Sequence, residues 1–464
     1  MKSYPMSRRD FLKAATLTGA GLVLAACTQA TEAPTELPQE EPTKPPEEPT
    51  QPPPEPTEEP VEAPPAEEAV TVTVWGWWED RMKFFQESGD KYTEQNPNVT
   101  VEVISVDQDL WQKVFASVPA GTGPTLCKMI TTHYFQLRDE GLLIPLDEVV
   151  FPPSFLQEKF PNFAWEQYGR YVMPEGNQAA IFAYNKTMFE EAGLDPEVPP
   201  GTWDEFVDAA VKLTKADDQG TLTREGIAID DWFPLMNPLF QLGGTIVLHD
   251  GDVLTANFDT PEMGKSIQLY LDFANVHKIY DYTFPYFTDA VGNEQAATAI
   301  GEAWSHGVWL SDFPEVYEQL GFSAPPTPSG QPEPYYGRQN AVLGLSLLVN
   351  RPDSETAEGA KFQEFLYKED LESQLNLSNI SGLAPAHIDN LTRPDVLSDP
   401  FTKLGIELVA KEYDMVELSS ALTDFMYATW DRMFVEGASV DEILADGQMQ
   451  IQEMIDNGDI KYTY

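Results

Sequence analysis

From Val70 the chain alternates Val and Thr as far as Val74, runs into the aromatic cluster Trp75, Trp77 and Trp78, and breaks at Glu79 and Asp80. It then continues as an amphipathic stretch from Arg81 to Gln95. A period of two followed by a period near 3.6 predicts strand, loop, helix. The pattern recurs, with a strand over Asn98 to Val106, a helix over Asp109 to Pro119, a strand over Thr125 to Ile130, and a helix ending near Gly141. Alternating strands and helices imply a mostly parallel sheet covered on both faces. Ligands of such sheets bind at the carboxyl ends of the strands, which places Trp75, Trp77, Trp78 and Glu79 at a crevice, with Thr132 and His133 following the third strand.

Further along, Thr202 and Glu205 have the spacing of a capping box. Trp203, Phe206, Ala210 and Leu213 then share one helical face, so Trp203 reads as a core anchor. Tyr184 and Asn185 close the apolar run Ala179 to Ala183, and Asn185 suits the turn from strand to helix.

The N-terminus follows a different logic. Arg8 and Arg9 precede Phe11, Leu12 and Lys13, and an apolar stretch from Ala14 to Ala26 ends at Cys27. That stretch is too short and too rich in Ala and Gly to span a bilayer of about 30 Å. A basic start, a short apolar run and small residues before a cut site describe a signal peptide. Ser7 to Lys13 resembles a twin-arginine export signal, and Leu24-Ala25-Ala26-Cys27 resembles a lipobox, in which Cys27 is lipidated. Residues 1–27 are therefore expected to be the signal. Residues 28–69, rich in Pro, Glu and Thr, are expected to be an extended, disordered tether, and residues 70–464 the folded part.

Charge and cysteine content narrow the partners. A formal net charge of −48 excludes nucleic acid, whose phosphates need the opposite sign. The chain has 2 cysteines, Cys27 and Cys127. With Cys27 acylated, no disulfide is available, and Cys127 is expected to be a reduced, buried thiol on the third strand.

Several stretches together carry a resemblance: Tyr92 to Ile104, Ala116 to Met129, Arg138 to Val150, Ile181 to Lys215, Ser346 to Tyr367 and Asn379 to His387. In this order the chain resembles the extracellular solute-binding proteins of bacterial ABC importers, in particular the carbohydrate-binding group that includes maltose-binding protein. Thr125 stands where that family usually has Asp. The resemblance implies an α/β fold of two lobes joined by hinge strands. Lobe one would hold about 70–178 and 344–379, and lobe two about 179–343 and 380–464, with crossings near Ala180, Leu343 and Ile380.

Sugars present hydroxyl edges and weakly apolar C–H faces, so their sites pair aromatic platforms with carboxylate and amide groups. The candidate ligand contacts are Trp77, Trp78, Glu79, Thr132, His133, Trp232, Trp304, His306 and Tyr336. To these the resemblance adds Trp309, at a position that commonly stacks on a ring, and Gln178, at the first hinge. The expected partners are a small solute, a mono- or oligosaccharide, and the permease subunits of an importer. The membrane is reached through the lipid anchor alone, on its outer face (within the periplasm where an outer membrane is present), and the chain is expected to be monomeric.

No catalytic motif is present: there is no Gly-x-Ser-x-Gly elbow, phosphate-cradling loop or His-Glu-x-x-His. The 5 histidines stand singly, at 133, 249, 277, 306 and 387, without metal-ligand spacing. Neither an enzyme, a cofactor nor a metal is expected. The alternatives left open are the same fold binding a polyamine, peptide or metal complex, and a tethered carbohydrate-active enzyme, because 76 acidic residues allow many carboxylate pairs.

Overall fold

The computed structural model describes residues 68–106, 109–160, 170–229, 233–250, 253–329, 336–337, 344–409, 412–413 and 420–460. Arg8, Arg9, Cys27, the Pro/Glu-rich stretch, Trp232 and the expected crossing at Leu343 lie outside the described residues.

Two sheets organise the rest. In chain order their strands are β1 (Val70–Gly76), β2 (Val99–Ser105), β3 (Leu126–Met129), β4 (Met173–Pro174), β5 (Ala180–Asn185), β6 (Ala228–Ile229), β7 (Thr298–Glu302), β8 (Leu320–Ser323) and β9 (Gly344–Leu347). Sheet one has the order β2-β1-β3-β9-β4, and sheet two the order β8-β5-β7-β6. β1 pairs in parallel with β2 and β3, as the strand–helix alternation predicts. Each sheet contains one strand that runs against the others, β9 in sheet one and β5 in sheet two. Both are strands by which the chain enters one sheet after visiting the other, so the reversal marks the passage between lobes.

Side chains alternate between two apolar layers, as a sheet covered on both faces requires. Along β5, Ala180, Phe182 and Tyr184 enter one core cluster, while Ile181 and Ala183 enter another. In sheet one, Val72, Val74 and Leu126 pack on one face and Cys127 and Met129 on the other. Cys127 is a free, buried cysteine whose thiol is pushed up by burial.

The local signals in the sequence resolve into contacts. The Thr202 hydroxyl accepts from the Glu205 amide at 3.3 Å, and the Glu205 carboxylate accepts from the Thr202 amide at 3.1 Å, which closes the capping box. Trp203 is buried and donates Nε1–H to Gln241 Oε1 at 3.0 Å. Asn185 caps the helix Lys186–Glu191, its Oδ1 accepting from the Met188 amide at 3.0 Å.

The first helix differs from expectation: it spans Glu79–Gln95, beginning two residues before Arg81. Trp78 takes the N-cap position with φ 66 and ψ 100, and its carbonyl accepts from the amides of Arg81 and Met82, both at 3.0 Å. Glu79 and Asp80 thus form the first turn, where negative charge suits the helix dipole, rather than a polar break before it.

Candidate ligand-binding site

The chain leaves sheet one after Pro174 and joins sheet two at Ala180, so 175–179 form the crossing segment. Within it, Gly176–Asn177 pairs with Ala384–Pro385. Two clusters of polar and aromatic groups meet this segment, one from each sheet.

The sheet-one cluster stands at the carboxyl end of β1. Trp77 is half-buried and Trp78 is 43% exposed, with ring centroids 5.3 Å apart. Trp77 also lies 5.7 Å from Trp111, and Trp111 stacks on His133 at 4.1 Å with the rings 3° from parallel. The Arg81 guanidinium sits 3.9 Å from the Trp78 centroid. A positive φ is uncommon for a non-glycine residue and costs energy that the surroundings must supply; here it holds an indole outward at a strand's end. His133 lies in the first turn of the helix Thr131–Asp139, which meets the helix Ser420–Asp431. Burial pushes the His133 imidazole down to about 4, so the ring is neutral at pH 7. Glu79 is exposed beside Trp78.

The sheet-two cluster stands at the carboxyl end of β7. Gln178, on the crossing segment, donates to Glu302 Oε2, and Trp304 donates Nε1–H to the same oxygen at 2.7 Å. Gln178 and Glu302 are buried, and Trp304 is half-buried against Phe287, 5.7 Å between centroids.

Trp309 and His306 do not join these clusters, contrary to expectation. Trp309 is 0% exposed, donates Nε1–H to the Thr288 carbonyl at 3.0 Å and packs with Phe287 and Phe322. Its ring has no open face for a ligand. The reason is helical: Trp304 opens the helix Trp304–Asp312, and five residues later Trp309 falls on its inward side. His306 is buried, stacked on Phe401 at 3.7 Å, with Nε2 2.6 Å from the Tyr317 hydroxyl. Burial pushes it down to about 4. Thr132 lies in the helix after β3, and Tyr336 in the short strand Tyr336–Gly337. The side chains of both, like all of Trp232, lie outside the described residues.

Sequence reasoning passed over Trp111, Lys128, Glu175 and Glu302. Trp111 could have been found, because an indole at the start of a helix following β2 belongs to the same sheet edge as Trp77. The others gain meaning only from partners far along the chain. Among the described residues, no group of three His, Cys, Asp or Glu side chains could hold a metal ion, and no helix is long and apolar enough to cross a membrane. Chemically, the clusters offer flat indole faces on one side and an amide–carboxylate pair on the other.

Residues 75–371 match the family described as bacterial extracellular solute-binding protein, and residues 5–25 match the twin-arginine translocation pathway signal sequence. An arabinooligosaccharide-binding protein of Halalkalibacterium halodurans is 23% identical over 270 residues, 54% of this chain and 57% of its own length. An sn-glycerol-3-phosphate-binding periplasmic protein of Yersinia pestis is 27% identical over 261 residues, 53% of this chain and 55% of its own. The chain thus spans little more than half the length of these two relatives. Among solved structures, the cyclic alpha-maltosyl-1,6-maltose binding protein of Arthrobacter globiformis superposes with a TM-score of 0.68 and 23% identity, over 84% of this chain and 99% of that one. A maltose/maltodextrin-binding domain of Bdellovibrio bacteriovorus bound to maltotriose gives 0.69 and 18%, over 83% and 100%. These two likenesses bear on the fold.

Proposed function

Because the chain belongs to the bacterial extracellular solute-binding proteins and carries a twin-arginine export signal, we propose that it captures a mono- or oligosaccharide between its two lobes and delivers it to the permease of an ABC importer. The observation that carries this reading is the pairing of the Trp77–Trp78 indoles with the Gln178–Glu302 pair, joined by one crossing segment. Indole faces match the C–H faces of a pyranose, and the amide and carboxylate match its hydroxyls. The proposed contacts are Trp77, Trp78, Glu79, His133, Gln178 and Trp304, with Thr132, Trp232 and Tyr336 as further candidates. The names of the relatives and neighbours, which include oligosaccharide-binding proteins, support the same class.

The lobes, about 70–178 with 344–379 and about 179–343 with 380–464, close on the ligand by bending at the crossings. Cys27 carries the lipid that holds the protein at the outer face of the membrane, and 28–69 act as spacer. The protein binds its solute without transforming it.

A thermal-shift panel of mono- and oligosaccharides, polyamines, peptides and sn-glycerol-3-phosphate tests the ligand class. A sugar present at 100 times its Kd raises the unfolding free energy by about 2.7 kcal/mol. Stabilisation by a polyamine or peptide and by none of the sugars would overturn the reading.

A further inference from the structure

One pair of buried charges is used by nothing in the binding site as described. Lys128, on β3, and Glu175, on the crossing segment, have side chains that are 0% exposed, with Nζ 3.2 Å from Oε1. Among the described residues, no third group donates a hydrogen bond to the carboxylate or accepts one from the ammonium. Taking an ammonium out of water costs several kcal/mol, and one ion pair repays that cost only when the geometry is good and further partners are present. The further partners are the two indoles. Lys128 Nζ lies 4.6 Å from the Trp77 centroid and 5.0 Å from the Trp78 centroid, within the range of a cation–π interaction, which strengthens when desolvated.

The lysine stem is also fixed. β1 ends at Gly76, where an added Cβ would stand 2.5 Å from Met82 Sδ and 2.9 Å from Lys128 Cβ. No side chain fits there while Lys128 keeps its course beneath the indoles.

We propose that Lys128 is a positioning residue for the Trp77–Trp78 platform. Its ammonium holds both indoles through their π faces and, through Glu175, ties them to the segment that joins the lobes. The proposal rests on the reading of these indoles as the ligand platform and deepens it: bending at the crossing segment loads the ion pair that orders the platform, so platform and hinge act as one unit. The charged and titratable groups facing Lys128 are Glu175, Arg81 and Cys127. Burial pushes the ammonium down to about 7; Glu175 opposes the shift and Arg81 adds to it. The hold is therefore released by deprotonation within a range the folded protein can be studied in.

The test uses the folded chain labelled with 5-fluorotryptophan, the fluorine resonances of Trp77 and Trp78 being assigned through Trp77→Phe and Trp78→Phe. In the wild type these two resonances move together with a midpoint near the lysine's own. In Lys128→Met they are flat with pH. In Glu175→Gln the midpoint moves lower, because the anion that favours the charged lysine is gone. Resonances that are flat in the wild type, or that still titrate in Lys128→Met, overturn the proposal. Should Lys128→Met fail to fold, an unmoved midpoint in Glu175→Gln overturns it equally. Adding maltotriose, arabinotriose or sn-glycerol-3-phosphate to the same sample separates the two readings. If no probe moves either resonance while the pH titration stands, the ligand platform is refuted and the lysine's hold on the rings is not.

Discussion

The ends of β1 and β7 make an instructive pair. Each strand runs out into aromatic residues at the carboxyl edge of its sheet, Trp77 and Trp78 after β1, and Trp304, His306 and Trp309 after β7. After β1, the positive φ of Trp78 turns an indole outward to 43% exposure. After β7 a helix starts at once, and its periodicity carries Trp309 inward to 0% exposure with its N–H satisfied by Thr288. Residue type is the same at the two edges. The path of the backbone after the strand decides which indole stays at the surface: Trp78 remains exposed after β1, whereas after β7 Trp304 stays half-buried and Trp309 is sealed.

The sharpest way to break this comparison is to truncate on the buried side. Trp309→Ala should cost about 3–5 kcal/mol of stability, as removal of a large core aromatic does, while the surviving folded protein binds its ligand unchanged. Chemical denaturation and calorimetric titration of the same sample read both. A lost affinity with an unchanged unfolding midpoint would return Trp309 to the binding site.

Acid titrates the same region. His306 is pushed from 6.5 to about 4 by burial, so the fold holds the neutral ring while the unfolded chain takes up the proton near 6.5. Its contribution is complete above 6.5 and lost as pH falls from 6.5 towards 4, amounting to about 3 kcal/mol. The lowered His133 acts in the same direction. His306→Phe, which keeps a ring over Phe401, should flatten the dependence of melting temperature on pH across that window. An unchanged slope would mean the imidazole is not sealed.

On the exposed side, Trp78→Ala should weaken ligand binding by about 2 kcal/mol, the scale of a truncated aromatic anchor, or roughly thirtyfold in Kd, with little change in melting temperature. The smallest effect comes from a control at the start of the helix Trp203–Leu213, which touches neither cluster. Thr202→Ala removes a helix cap and should cost about 1 kcal/mol of stability, leaving affinity alone. An affinity change there would show that general loosening, rather than platform contacts, governs binding.

The first three strands of sheet one, the capping box at Thr202 and the turn at Asn185 were legible because each rests on residues within a few positions of one another. The sheet edge bearing Trp77 and Trp78 was legible for a related reason, since alternation fixes where β1 ends. Trp309 was misjudged because its burial depends on Thr288, Phe287 and Phe322, and no local pattern announces that company. The Trp111–His133 stack and the Lys128–Glu175 pair join residues brought together only by the sheet and the crossing segment. Buried polar pairs of that kind leave no periodic trace in a sequence.

The most direct measurement is the crystal structure of the protein with the sugar that stabilises it best in the thermal-shift panel. The account predicts a sugar ring stacked on Trp78 or Trp77, its hydroxyls bonded to the Gln178–Glu302 pair, and Trp309 still sealed against Thr288. A ligand resting on Trp309, or one that touches neither indole after β1, would contradict it.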